Sequence, residues 1–60
     1  MPRYRVHFLD HGDNIRATHH MECADDERAI EIGHRLNVLP NVSAGFEVWD
    51  DERLVYRHRN

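Results

Sequence analysis

The chain has 60 residues, of which 40% are apolar and 32% are charged, and its formal net charge is -3. These figures exclude a multidomain protein and a disordered tail, so we expect residues 1–60 to fold as a single domain. They also exclude a membrane helix, because no apolar run approaches the roughly 18 residues that one needs. No long apolar segment follows the N-terminus, so we expect no secretory signal and no membrane partner. The single cysteine, Cys23, can form no internal disulfide, which is typical of the cytoplasm.

The N-terminal part of the chain predicts a β-hairpin. Tyr4, Val6 and Phe8 alternate with polar residues, as in a strand that buries one face. Turn-forming residues occupy 10–14, and Gly12 is available for a positive φ. The alternation then resumes on a second strand, one face of which holds Ile15, Ala17, His19, Met21 and Cys23.

A helix is predicted next. Asp25 can cap its free N–H groups, and the helix should end near Asn37, before Pro40. Glu31 and Arg35 are spaced to form an ion pair on its surface. Its apolar stripe consists of Ala29, Ile32 and Leu36, widened by Ile30 and Gly33. The irregular connection from Val38 to Gly45 carries apolar residues that can seal the edge of the core.

The last part of the chain predicts a second hairpin, with strands over 46–49 and 53–58, whose register is ambiguous. A three-residue loop places Phe46, Val48, Leu54 and Tyr56 on one face. A two- or four-residue loop instead pairs Val48 with Val55 and Trp49 with Leu54. In either register, Trp49 lies on the face opposite Phe46 and Val48.

The predicted fold class is α+β with the order ββαββ, in which one helix packs on one face of a small, mainly antiparallel four-stranded sheet. The other sheet face is left open. We expect it to carry Leu9 and either Val55 or Leu54 with Tyr56. The candidate interaction residues on this face are Arg3, Arg5, His7, Trp49 and Arg57.

Three stretches of the sequence resemble a group of small alphaproteobacterial proteins that contain a domain of unknown function. They are Met1-Pro2-Arg3-Tyr4, the helix entry Glu22-Cys23-Ala24-Asp25-Asp26-Glu27, and the closing Phe46-Glu47-Val48-Trp49-Asp50 with Arg53-Leu54-Val55. The resemblance implies a bacterial source and a compact cytosolic domain. It brings no activity, cofactor or catalytic residue with it.

Chemistry-bearing residues are few. His19 and Cys23 are four residues apart, but on a strand they lie about 13 Å apart, so His7, His11 or His58 would have to complete a metal site. Cys23 with a histidine is a possible nucleophilic pair, although a buried packing role is the simpler interpretation. We therefore expect no cofactor and no enzymatic activity, and we keep a histidine-based metal or pH sensor as an alternative.

Two kinds of macromolecular partner remain. The arginines near both termini would form a basic patch with aromatic residues if the first and fourth strands were neighbours, as in some RNA-binding sheets. The net charge of -3 disfavours nucleic acid. A domain this small, without disulfide or metal, commonly gains stability by association. The sequence therefore predicts a protein-interaction or regulatory module that forms a homodimer, or binds another protein, through its open sheet face.

Overall fold

A computed structural model of the chain describes residues 2–37 and 44–59. The elements follow the predicted order ββαββ, which confirms the α+β fold class. They are β1 (Arg3–Leu9), β2 (Ile15–Glu22), α1 (Asp26–Leu36), β3 (Gly45–Asp50) and β4 (Arg53–Arg59).

The four strands form one antiparallel sheet in the order β2-β1-β3-β4. β1 pairs with β2 in a hairpin and also with β3, where Val6 lies opposite Val48 and Phe8 opposite Phe46. The first and fourth strands are therefore not neighbours, because β3 lies between them. The condition for a continuous basic patch formed by the terminal strands is not met.

The core lies between the helix and one face of the sheet. Val6, Phe46 and Val48 are fully buried, and Ala29 on α1 is buried with them. Gly33 allows a close approach of the helix to the sheet, because a Cβ at this position would lie 2.6 Å from Cε2 of Phe46. The predicted helix stripe is thus confirmed at its centre, whereas Leu36 at its end is 41% exposed.

The helix ends follow from local hydrogen bonds. The carboxylate of Asp25 accepts from the Arg28 N–H at 2.9 Å, and the Asn37 N–H donates to the Gly33 carbonyl at 3.1 Å. Glu31 and Arg35 form the predicted ion pair at 2.9 Å. Of the predicted connection over 38–45, residues 38–43 lie outside the described residues, and Gly45 already belongs to β3.

The first turn corrects one expectation. The positive φ belongs to Asp13, at 63°, and not to Gly12. The Asp10 carboxylate accepts from the N–H groups of Gly12 and Asn14, at 2.8 and 2.9 Å, which holds the loop as an Asx-type turn. Aspartate tolerates the left-handed region better than most residues do, and Asp13 also pairs with Arg59.

The second hairpin uses parts of both predicted registers. Trp49 pairs with Leu54 across the two-residue loop 51–52, and a bulge at Val55 then places Tyr56 opposite Val48. Leu54 therefore lies beside Trp49, whereas Tyr56 joins Phe46 on the helix side, where their ring centroids are 5.9 Å apart. The expectation that Leu54 and Tyr56 share a face was wrong, because the bulge changes the alternation between them.

β2 is far more exposed than its alternating pattern suggests. Every residue from Ile15 to His20 is exposed on both faces of the strand, and Ile15 retains 56% of its surface. Only Met21 packs against the core, and Cys23, just beyond the strand, is buried. The physical reason is position: β2 is an edge strand, and the helix packs over β3, two strands away.

Candidate interaction face

The five predicted interaction residues share one face of the sheet, which we call the open face. Arg3, Arg5 and His7 point away from the helix because they alternate with Tyr4, Val6 and Phe8 along β1. Trp49 lies directly opposite Arg5, and His7 and Arg57 flank Glu47 on β3 from either side. Leu9, also expected on this face, is only 3% exposed.

Glu47 is the centre of the open face, and the sequence did not single it out. Only 7% of its surface is exposed. The Trp49 indole N–H donates to Oε1 at 3.3 Å, and Nε of Arg57 donates to Oε2 at 2.7 Å. A buried carboxylate needs such partners, since its desolvation is otherwise unfavourable. Its position in the sequence, between two core residues of the most buried strand, is the signal that could have indicated it.

The apolar part of the open face lies beside this polar centre. Trp49 is half-buried, and its neighbour Leu54 is 44% exposed. On the other side of Trp49, the Arg5 guanidinium donates to the carbonyl oxygen of Asp51 in the β3–β4 turn. Trp49 and Leu54 therefore form an apolar pair flanked by an arginine that is held in place. Tryptophan and arginine are enriched at the anchors of protein interfaces.

His7 connects the polar centre to the edge strand. Its Nδ1 lies 3.0 Å from Oγ1 of Thr18 on β2. Burial lowers the pKa of His7, and the positive charge of Arg5 and the nearby His20 lower it further, whereas Glu47 opposes them. The neutral imidazole is thus the form that this face favours.

Ion pairs offset much of the arginine charge near the termini. Arg3 pairs with Glu22 at 3.4 Å, Arg57 with Glu47, and Arg59 with Asp13. An open groove of about 790 Å³ near the start of β1 is also of mixed charge, since its charged lining residues are Arg3, Arg5, Glu22, Asp50 and Asp51. Nucleic-acid binding requires a concentrated positive potential, and this arrangement reduces it.

Cys23 and the histidines form no reactive centre in the described structure. Cys23 is buried, and burial raises the pKa of its thiol, which disfavours the nucleophilic thiolate. His19 and His58 lie on opposite edge strands, so His58 cannot complete a site with His19. Within residues 2–37 and 44–59, no group of three or more His, Cys, Asp or Glu side chains is arranged to hold a metal ion.

Comparison with protein-family models, with curated proteins and with solved structures returned no match. The resemblance to the alphaproteobacterial proteins therefore stays a prediction. Among the described residues, the chain has no helix that is both long enough and apolar enough to span a membrane. The geometry of the open face is accordingly the main basis for a functional proposal.

Proposed function

We propose that this protein is a non-enzymatic interaction module of the bacterial cytoplasm that self-associates through its open face. The observation that carries the proposal is the apolar pair Trp49 and Leu54, which lies beside Arg5 on the sheet face that the helix does not cover. A free, buried cysteine is consistent with a reducing compartment.

The dimensions of the domain support a dimer interface on this face. The domain measures 32 × 21 × 15 Å, and the shortest dimension corresponds to two layers, one helix and one sheet. A standard interface buries about 800 Å² on each partner. That is about a fifth of the 4103 Å² of accessible surface on this chain. Standard interfaces range from about 600 to 1,000 Å² on each partner. One broad face of the domain, which measures 32 × 21 Å, is large enough for an interface at the lower end of that range.

The charges on the open face support a second copy of the chain as the partner. Arg5 and His20 lie near one end of the sheet, together with the acidic side chains of Glu22 and Asp51. In a twofold interface, each patch meets the same patch of its partner. A surface carrying both signs can place its arginine against a carboxylate of the other copy, whereas a uniformly basic face would repel itself.

The experiment that tests the proposal compares two matched leucine variants. Leu54→Ala removes an apolar side chain beside Trp49, and Leu36→Ala removes an equally exposed one, at 41% against 44%, from the end of the helix. We expect Leu54→Ala to weaken association by about 1 kcal/mol, or roughly fivefold, and Leu36→Ala to leave it unchanged. Trp49→Ala should weaken association by about 2 kcal/mol or more.

Sedimentation equilibrium over a range of protein concentrations measures these dissociation constants, and circular dichroism confirms that each variant is folded. A wild-type protein that stays monomeric at every concentration contradicts the proposal. An equal effect of the two leucine variants also contradicts the proposal, because it would show that association does not depend specifically on the open face. Binding of single-stranded RNA at low salt that falls steeply as salt rises would support nucleic acid as the partner instead.

A further inference from the structure

The outer edge of β2 is an unpaired backbone edge of unusual exposure. No strand of the described residues lies beside it, and its residues from Ile15 to His20 are exposed on both faces. An edge strand presents a row of free N–H and C=O groups, which is a template for another strand. Proteins usually protect such an edge with lysine, proline or a bulge. β2 has one of these features, a bulge at Arg16 near its start, and the regular stretch that follows, residues 17–22, contains no lysine or proline.

β4, the other edge strand, is protected by comparison. It carries Arg53, Arg57 and Arg59, and a bulge at Val55 interrupts its alternation. Two antiparallel β4 strands centred on Tyr56 would place Arg53 of one copy opposite Arg59 of the other, which is a repulsive pair. Both edge strands have a bulge, but β4 carries three arginines and β2 only one, so β2 is the better suited to pair with itself.

The sequence of β2 is self-complementary in one antiparallel register. When His19 lies on the twofold axis, the end of the regular stretch brings Glu22 of one copy, which also pairs with Arg3 of its own chain, towards Arg16 at the bulge of the other. In the same register Ala17 lies opposite Met21, and Thr18 opposite His20. Opposite charges that face each other across strands stabilise a sheet, as do apolar pairs on one face. Each of these pairs occurs twice because of the symmetry.

We infer that β2 is a second self-association surface, at which two copies pair antiparallel about His19 to form a continuous eight-stranded sheet. The twofold axis of this pairing is perpendicular to the sheet, so both helices lie on the same side. The axis of the open-face interface lies in the plane of the sheet. Two perpendicular twofold axes close an assembly as a tetramer when they intersect, and otherwise extend it as an open filament. The tetramer rests on the proposed function, but the edge pairing does not.

The first test uses like charges on the axis. His19→Lys places two ammonium groups opposite each other, and His11→Lys in the exposed β1–β2 turn is the matched control with the same charge change. We expect His19→Lys to raise the dissociation constant of the edge pairing roughly tenfold or more, and His11→Lys to leave it nearly unchanged. Equal effects of the two variants would overturn the inference.

The second test detects the edge pairing directly and does not depend on weakening it. In the proposed register, the Cα atoms of the two His19 residues are about 4.5 to 5.5 Å apart, which is within reach of a disulfide. His19→Cys should therefore form a covalent dimer under mild oxidation, whereas His11→Cys and the wild type should not. An oxidised His19→Cys protein that stays monomeric in a denaturing gel, as the control does, contradicts this register.

The oligomer masses separate the inference from the proposed function. If both surfaces associate, the wild type is larger than a dimer, a tetramer when the two axes intersect, and Trp49→Ala and His19→Lys each leave a dimer. A dimer that persists in Trp49→Ala and is lost in His19→Lys supports edge pairing and overturns the open-face proposal. The opposite pattern overturns edge pairing alone. A wild type that is monomeric at all concentrations overturns both.

Discussion

Gly33→Ala tests the contact that sets the distance between helix and sheet. Alanine is the better helix former by about 1 kcal/mol, so helix propensity alone predicts that this substitution stabilises the fold. The structure predicts the opposite. A Cβ at this position would lie 2.6 Å from Cε2, 3.2 Å from Cδ2 and 3.3 Å from Cζ of Phe46, whose side chain is fully buried. Either the ring or the helix must therefore move.

The size of the effect follows from the difference between these two contributions. Forcing an extra carbon into a packed core typically costs about 1–3 kcal/mol. Subtracting the gain in helix propensity leaves a net destabilisation of about 1 kcal/mol, and at most about 2 kcal/mol. A domain of this length has a total stability of about 3–9 kcal/mol. A loss of about 1 kcal/mol in such a domain lowers Tm by roughly 4–8 °C.

Urea unfolding followed by Trp49 fluorescence measures this difference. Phe46→Leu provides a matched test, because it removes ring atoms that the new methyl group would meet. In the double variant we expect the loss in unfolding free energy to be smaller than the sum of the losses in the two single variants, since the methyl group fills part of the space vacated by the ring. If the Gly33→Ala protein is more stable than the wild type, close contact with the Phe46 ring is not the reason why glycine occupies this position.

Two further predictions concern the β3–β4 turn and the contact between the helix N-terminus and β4. Asp51 has a φ of 56°, so Asp51→Val should cost about 1–2 kcal/mol in urea unfolding, whereas Glu52→Val at the adjacent, negative φ should cost little. The Tyr4 hydroxyl donates to Asp26 at 2.7 Å, which raises the pKa of Tyr4 to about 12, and Arg53 lowers the pKa of Asp26. The contribution of Tyr4 to stability is therefore complete below its ordinary value of about 10 and is lost as pH rises towards 12. The contribution of Asp26 is present above its ordinary value and is lost as pH falls through its lowered pKa. Asp26→Asn should shift the phenolate absorbance of Tyr4 towards pH 10 and flatten the acid dependence of the unfolding midpoint.

The local pattern of the sequence was sufficient to predict the elements. The alternation of Tyr4, Val6 and Phe8 indicates a strand with one buried face, and this strand pairs on both sides, with β2 and with β3. The cap at Asp25 and the stripe through Ala29 and Gly33 placed the helix correctly. In each case the signal comes from residues a few positions apart, which interact directly within one element.

The same reasoning failed where the outcome depends on distant elements. The alternating pattern of β2 defines two faces, but it does not indicate that the helix packs over β3 and leaves β2 uncovered. The order of strands, with β3 between β1 and β4, was likewise not encoded in any local period. Glu47 was missed for a related reason, because its burial depends on Arg57 across the strand pair. That partner is fixed only by the bulge at Val55.

The burial of Glu47 bears on how the open face can associate. Its carboxylate is already withdrawn from water by its neighbours in the single chain and is paired with Arg57 and the Trp49 indole. Covering this face with a second copy therefore desolvates little additional negative charge at Glu47, and the charge that still loses water at the centre is that of Arg57, which is about half exposed and keeps its ion pair. The gain from covering Trp49 and Leu54 is then not offset by a large cost at the carboxylate. This is why the leucine beside the tryptophan, and not the ion pair, should determine the strength of association.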